Sequence, residues 1–149
     1  MLDVNVPGAA VAALATFLIG GPWYSNALFG DRWRKAMSVS DAKPGHPAKV
    51  FGFAYLFSLI AAGFLSTLIP PGTGAMAGLQ TGVIVGLCLV ATSFGVNYMF
   101  ANRPVAALLI DGGYHIAQFA AFGLVLGLWP SRIDPQHLRT QLSTTRNRA

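Results

Sequence analysis

The sequence contains no glutamate, and its negative charge comes from five aspartates alone. Charged residues of both signs make up 10% of the 149 residues, against about 25% in a typical soluble domain. That is too little charge to cover the surface of a soluble fold. Disorder is excluded from the other direction. Disordered chains are poor in apolar residues, whereas 54% of this chain is hydrophobic and its mean hydropathy is +0.54. Cysteine occurs once, as Cys88, so an internal disulfide is impossible. No Cys/His spacing suited to zinc exists either, and Cys88 is expected to be a small buried apolar side chain. The leading residues carry Asp3 and no Lys or Arg, so the first apolar run lacks the basic start of a secretory signal peptide.

What the chain does have is long apolar runs. Crossing a hydrocarbon core takes about 20 mostly apolar residues in a helix. Four stretches qualify: from Val6 to Tyr24, from Val50 to Ile69, from Ala75 to Phe100, and from Pro104 to the neighbourhood of Trp129. Barrel strands are excluded because apolar and polar residues do not alternate. The expected fold is therefore an all-α integral membrane protein with four transmembrane helices. Residues 1–130 form the transmembrane domain and residues 131–149 a basic polar tail. In the first loop, Phe29, Trp33 and Met37 recur at i, i+4 and i+8, with Asp31, Arg32, Arg34 and Lys35 on the other face. This pattern predicts a short amphipathic helix lying in the interface.

Ten Lys and Arg against five Asp give a net charge of +5. In this context the cations belong to loops and tail, where they meet lipid headgroups and set topology, so nucleic acid is not an expected partner. Loop one carries Arg32, Arg34, Lys35, Lys43 and Lys49, and loop three adds Arg103. The other side has only the tail cations Arg132, Arg139, Arg146 and Arg148. The balance places loops one and three in the cytoplasm, with Lys43 inside and Arg139 outside. Gly74, Gly78, Gly82 and Gly86, at strict four-residue spacing, and Gly123 with Gly127 make small faces for close helix packing. Four helices enclose little interior volume, so a homo-oligomer is expected.

The residues most in need of explanation are Asp111 and His115. They lie about 10 Å and about 16 Å into the fourth span at 1.5 Å per residue. An ionisable group there costs on the order of 2.5–3.5 kcal/mol on insertion scales. Their i, i+4 spacing puts them on one helix face, which Gln118 extends. A short hairpin between the third and fourth spans sets Asp111 level with Ser93 and Phe94, one turn below Asn97. Tyr24, Ser25 and Tyr55 belong to the same leaflet. Asp111 has two candidate partners, His115 and Asn97. Several readings share this cluster: a structural hydrogen-bond network, a proton or cation path, an acid/base enzyme acting on a lipid-like substrate, and, least supported, a metal or haem site short of ligands.

Gly20-Gly21-Pro22-Trp23-Tyr24-Ser25, Phe29-Gly30, Trp33, Ala48-Lys49, Gly95-Val96-Asn97-Tyr98 and Asp111-Gly112-Gly113-Tyr114-His115 together resemble a family of small bacterial four-helix membrane proteins. It is catalogued as domain of unknown function number seventeen sixty-one. The resemblance runs from about Val4 to Leu128. It implies the four-helix architecture, a bacterial inner membrane location and a shared polar cluster, but no activity. In that family the position of Asp111 is often Asn, which would bond but not exchange protons. The expected function is passage of an ion or small molecule through a homo-oligomer. The alternatives are an isomerase-, cyclase- or hydrolase-type membrane enzyme and a purely structural protein. Asp111 and His115 are the candidate acid/base or relay pair, and Trp23, Tyr24, Ser25, Tyr55, Ser93, Asn97, Tyr98, Tyr114 and Gln118 the candidate binding residues. No metal or cofactor is expected.

Overall fold

A computed structural model describes residues 3–39 and 45–130. Lys43, Arg132, Arg139, Arg146, Arg148 and the tail 131–149 lie outside the described residues. All regular structure in the described residues is helical. Helices α1 (Val6–Ala13) and α2 (Ala15–Trp23) form the first span, α4 (Pro47–Leu68) the second and α7 (Val105–Gly127) the fourth. The third span, Ala75–Phe100, is α5 (Ala75–Val85), a π-helical segment Gly86–Ala91, and α6 (Thr92–Phe100). All four spans are long and apolar enough to cross a membrane.

Local chemistry sets the ends of these elements. The Asn5 side chain accepts from the Gly8 amide at 3.1 Å, and Pro7 occupies the first turn of α1, where a missing N–H costs nothing. Pro70-Pro71-Gly72 stops the second span, with Gly72 at φ 85° in the left-handed region. Asn102, at φ 51°, turns the hairpin between the third and fourth spans. The loop-one helix α3 (Gly30–Met37) forms as the amphipathic pattern predicts. Its C-terminal carbonyl at Met37 accepts a hydrogen bond from Arg103 at 3.2 Å, so the hairpin turn holds α3 in place.

Helix α7 is the hub, packing against the first, second and third spans and against α3. Against α5 the approach is backbone to backbone. A Cβ on Gly78 would collide with the Gly123 carbonyl, one on Gly82 with the Phe119 carbonyl, and one on Gly127 with the Gly74 carbonyl. The four-residue glycine ridge thus serves packing within the chain, because only a helix without side chains on that face comes so close. The second and third spans do not share an extensive contact. Within the apolar windows, 44% of the fourth span is buried but only 6% of the third. The outer face of the third span is therefore uncovered. Cys88 lies on that span and is exposed, contrary to its expected burial. A residue in the middle of a span is buried only if another helix covers its face.

On the side of the N-terminus and the second loop, the interior is mainly apolar, although Ser66 is buried there and accepts from the Asn5 backbone amide at 3.1 Å. Ala9, Ala12, Ala62, Leu65, Phe122 and Leu126 are 0–1% exposed and form one apolar cluster. On the side of loops one and three the interior is polar.

Candidate functional site: two polar clusters and an intramembrane pocket

The structure divides the expected cluster in two. The first group surrounds Asp111, which is 5% exposed. Its Oδ1 accepts from the Tyr24 hydroxyl at 2.7 Å and its Oδ2 from the Tyr98 hydroxyl at 2.6 Å. Neither His115 nor Asn97 bonds to it. Beside it, the Trp23 indole N–H donates to the Ile110 carbonyl at 3.0 Å, and the same ring lies over Gly113, where a Cβ would come within 3.2 Å. Tyr24 packs on Tyr114, with ring centroids 5.1 Å apart, and on Trp33, at 5.4 Å. The Trp-Tyr pair ending the first span therefore grips the Asp-Gly-Gly-Tyr stretch of the fourth, and α3 covers the pair from outside. Ser25 bonds the Pro22 carbonyl at 2.7 Å, so it closes the helix end and does not reach Asp111.

The second group lies one to two turns deeper. His115 Nδ1 sits 2.8 Å from Gln118 Oε1. Gln118 Nε2 donates to Thr16 Oγ1 at 2.7 Å and more weakly to Ser58 Oγ at 3.4 Å. Thr16 in turn donates to Ser58 at 2.7 Å. Tyr114 donates to the Thr16 carbonyl at 3.2 Å, which bolts the first span to the fourth. The His115 ring stacks on Phe94 at 4.6 Å. Sequence reasoning does not single out Thr16 or Ser58. Both fall near the middle of their spans, as Gln118 does, and matching depths across three helices is the signal that would have found them.

Three expected residues stand elsewhere. Tyr55 donates to the Ala10 carbonyl at 3.1 Å and packs on Phe17, between the first two spans. Ser93 bonds back to the Leu89 carbonyl at 2.6 Å and is exposed. Asn97 is exposed, and its side chain makes no hydrogen bond among the described residues. The π-helical segment explains the last two. Gly86 faces α7, and in an uninterrupted α-helix the residues seven and eleven further on, Ser93 and Asn97, would share that face. The π segment adds one residue to the path. Phe94 and Tyr98 take the inward positions, and Ser93 and Asn97 turn away.

A cavity of about 400 Å³ opens beside the second group. Thr16, Ser58, His115 and Gln118 give it a polar floor, and Phe57, Ala61, Val90 and Phe119 are among its apolar walls. Asp111 does not line it. Its walls include α4 and the third span, which share no extensive contact, so the cavity lies between these two spans. It borders the apolar cluster, to which its lining residue Phe119 belongs. No group of three or more His, Cys, Asp or Glu side chains suited to a metal occurs among the described residues.

Fold and site define a four-span helical protein of membrane-crossing dimensions with a small polar-floored pocket among its helices. A family model described as "Protein of unknown function (DUF1761)" matches residues 8–127, and the chain belongs to that family. No curated protein and no solved structure matches it.

Proposed function

We propose that this is a membrane-embedded binding protein, which takes a small amphiphilic molecule from the bilayer into the pocket floored by Thr16, Ser58, His115 and Gln118. The carrying observation is the pocket itself: about 400 Å³, within the range of small-molecule sites, apolar-walled with a few convergent polar groups. The tightly packed cluster of Ala12, Ala62, Leu65 and Phe122 below it favours a blind pocket over a pore through one chain. Passage of a molecule across the membrane requires that cluster to part. The test is extraction of the purified protein followed by mass spectrometry. A small molecule should accompany the native chain and be lost from Ala61→Phe, which fills the pocket. Recovery of the same molecule from both proteins, or from neither, would sink the proposal.

A second reading, acid/base catalysis on the bound molecule, rests on His115. Its Nε2 has no protein partner among the described residues, so it is free to act as a base. Asp111 has both oxygens engaged by tyrosines, so on this reading the base is His115. The proposal also includes a bacterial inner membrane location, loops one and three in the cytoplasm, and self-association along the uncovered third span. There the Asn97 carboxamide points away from the chain's own helices, and lipid offers it no hydrogen bond.

A further inference from the structure

The hydroxyls of the spans fall into two kinds. Ser66, Thr67, Thr81, Thr92 and Ser93 each donate to a carbonyl of their own helix, which leaves them no proton to offer elsewhere. Thr16 and Ser58 do not. The chain of donors runs from the Gln118 amide to Thr16 and from Thr16 to Ser58. At its end the Ser58 hydroxyl accepts twice and donates to no group among the described residues. One surplus donor thus stands in the pocket wall.

The orientation of the Gln118 amide sets the His115 tautomer: with Nε2 donating to Thr16, Oε1 is the acceptor and the neutral ring carries its proton on Nδ1. Neutral imidazole then has a bare lone pair on Nε2, and no group among the described residues meets it. Stacking on Phe94 holds the ring in this orientation. The pocket therefore presents one unmatched acceptor and one unmatched donor, both tied to Gln118, within apolar and aromatic walls. A formally charged ligand finds no countercharge among the pocket-lining side chains when His115 is neutral. An ether or ketone can accept from Ser58 but gives nothing to His115.

We infer that the ligand is a neutral hydroxyl-bearing amphiphile, an alcohol or a phenol, whose O–H donates to His115 Nε2 while its oxygen accepts from Ser58. This rests on the pocket-binding proposal above and adds the chemical class. It is tested with a matched probe pair, 2-naphthol and 2-methoxynaphthalene, which differ by the hydroxyl proton and one methyl group. The native full chain is placed in phosphatidylcholine nanodiscs, and saturable binding in excess of empty discs is measured by equilibrium dialysis. The expected result is saturable naphthol binding with the ether about tenfold weaker, the size of one lost hydrogen bond to a site left unpaired. His115→Phe should shrink that gap to about threefold or less, whereas Ser58→Ala, which removes a donor both probes use, should weaken both about equally and leave the gap in place. The comparison on the native chain needs no variant to fold. Equal saturable binding of both probes, abolished by Ala61→Phe, overturns the hydroxyl inference and leaves the pocket standing. A preference that survives in His115→Phe overturns the assigned acceptor, and unchanged affinity of both probes in Ser58→Ala overturns the assigned donor. No saturable binding of either probe overturns the pocket proposal, and this inference with it.

Discussion

Two phenols, Tyr24 and Tyr98, hold the Asp111 carboxyl where an ion pair would need a buried cation. Burying an ionisable group is costly unless its hydrogen-bonding capacity is met, and here each oxygen has a donor. Asp111→Asn keeps one acceptor oxygen but puts an amide N–H₂ against the other phenol, which must then accept instead of donate. The expected loss of stability is about 1 kcal/mol, and ligand uptake in the pocket should persist. Asp111→Leu strands both phenols, at about 1–3 kcal/mol each if they stay buried. Thermal unfolding of both variants in nanodiscs decides this, and an Asn variant as unstable as the Leu variant would refute the two-phenol account. At Thr16 the hydroxyl links three helices, so Thr16→Val, nearly equal in shape, should cost about 1–3 kcal/mol by the same measurement.

At the scale of the element, the third span has two halves with different rules. In α5 the glycines admit the α7 backbone, and a side chain at Gly82 has nowhere to go but into the Phe119 carbonyl. Gly82→Leu should force the hairpin apart at a cost of about 1–3 kcal/mol or more, seen as a lowered unfolding temperature. Past Gly86 the π-helical segment resets the inward face. Deleting Leu89, an exposed residue within that segment, should let it relax to α-helix and leave Tyr98 on Asp111. Deleting Val96, equally exposed but within α6, should swing Tyr98 by about 100° off the carboxyl. The expected outcome is a stable Leu89 deletion and a markedly destabilised Val96 deletion. Equal behaviour of the two would mean that the segment does not set the register.

For the whole molecule, four spans bring the start of the first and the end of the fourth to one side, with loops one and three on the other. In a Cys88→Ser background, Ala27→Cys in loop one and Thr73→Cys in loop two report the orientation through an impermeant thiol reagent on intact cells. Labelling at Thr73→Cys alone is expected from the cation balance, and labelling at Ala27→Cys alone would reverse the placement. Self-association can be read with the natural cysteine. Cys88 is exposed on the uncovered third span, so copies that meet there should form an oxidant-induced disulfide in native membranes. A disulfide needs Cα atoms within about 7 Å, which makes the crosslink specific for that face. A chain that remains monomeric under oxidation and in crosslinking through surface lysines would refute association along this span.

The sequence alone determined the helical architecture, because a chain with 10% charge and four long apolar runs has one way to satisfy its backbone in lipid. It also determined the α3 helix, from three apolar residues at i, i+4 and i+8, and the glycine ridge, from strict four-residue spacing. It located Asp111 and His115 as residues needing partners, but it did not name those partners. The tertiary structure decided that Asp111 belongs to Tyr24 and Tyr98, and that His115 belongs with Gln118, Thr16 and Ser58. The reason is geometric. Periodicity extends a helix face only while the helix stays α, and one extra residue at Gly86–Ala91 exchanged Ser93 and Asn97 for Phe94 and Tyr98. The pocket was equally out of reach of the sequence. A cavity is a space between helices, and it exists here because α4 and the third span both pack on other helices and not on each other.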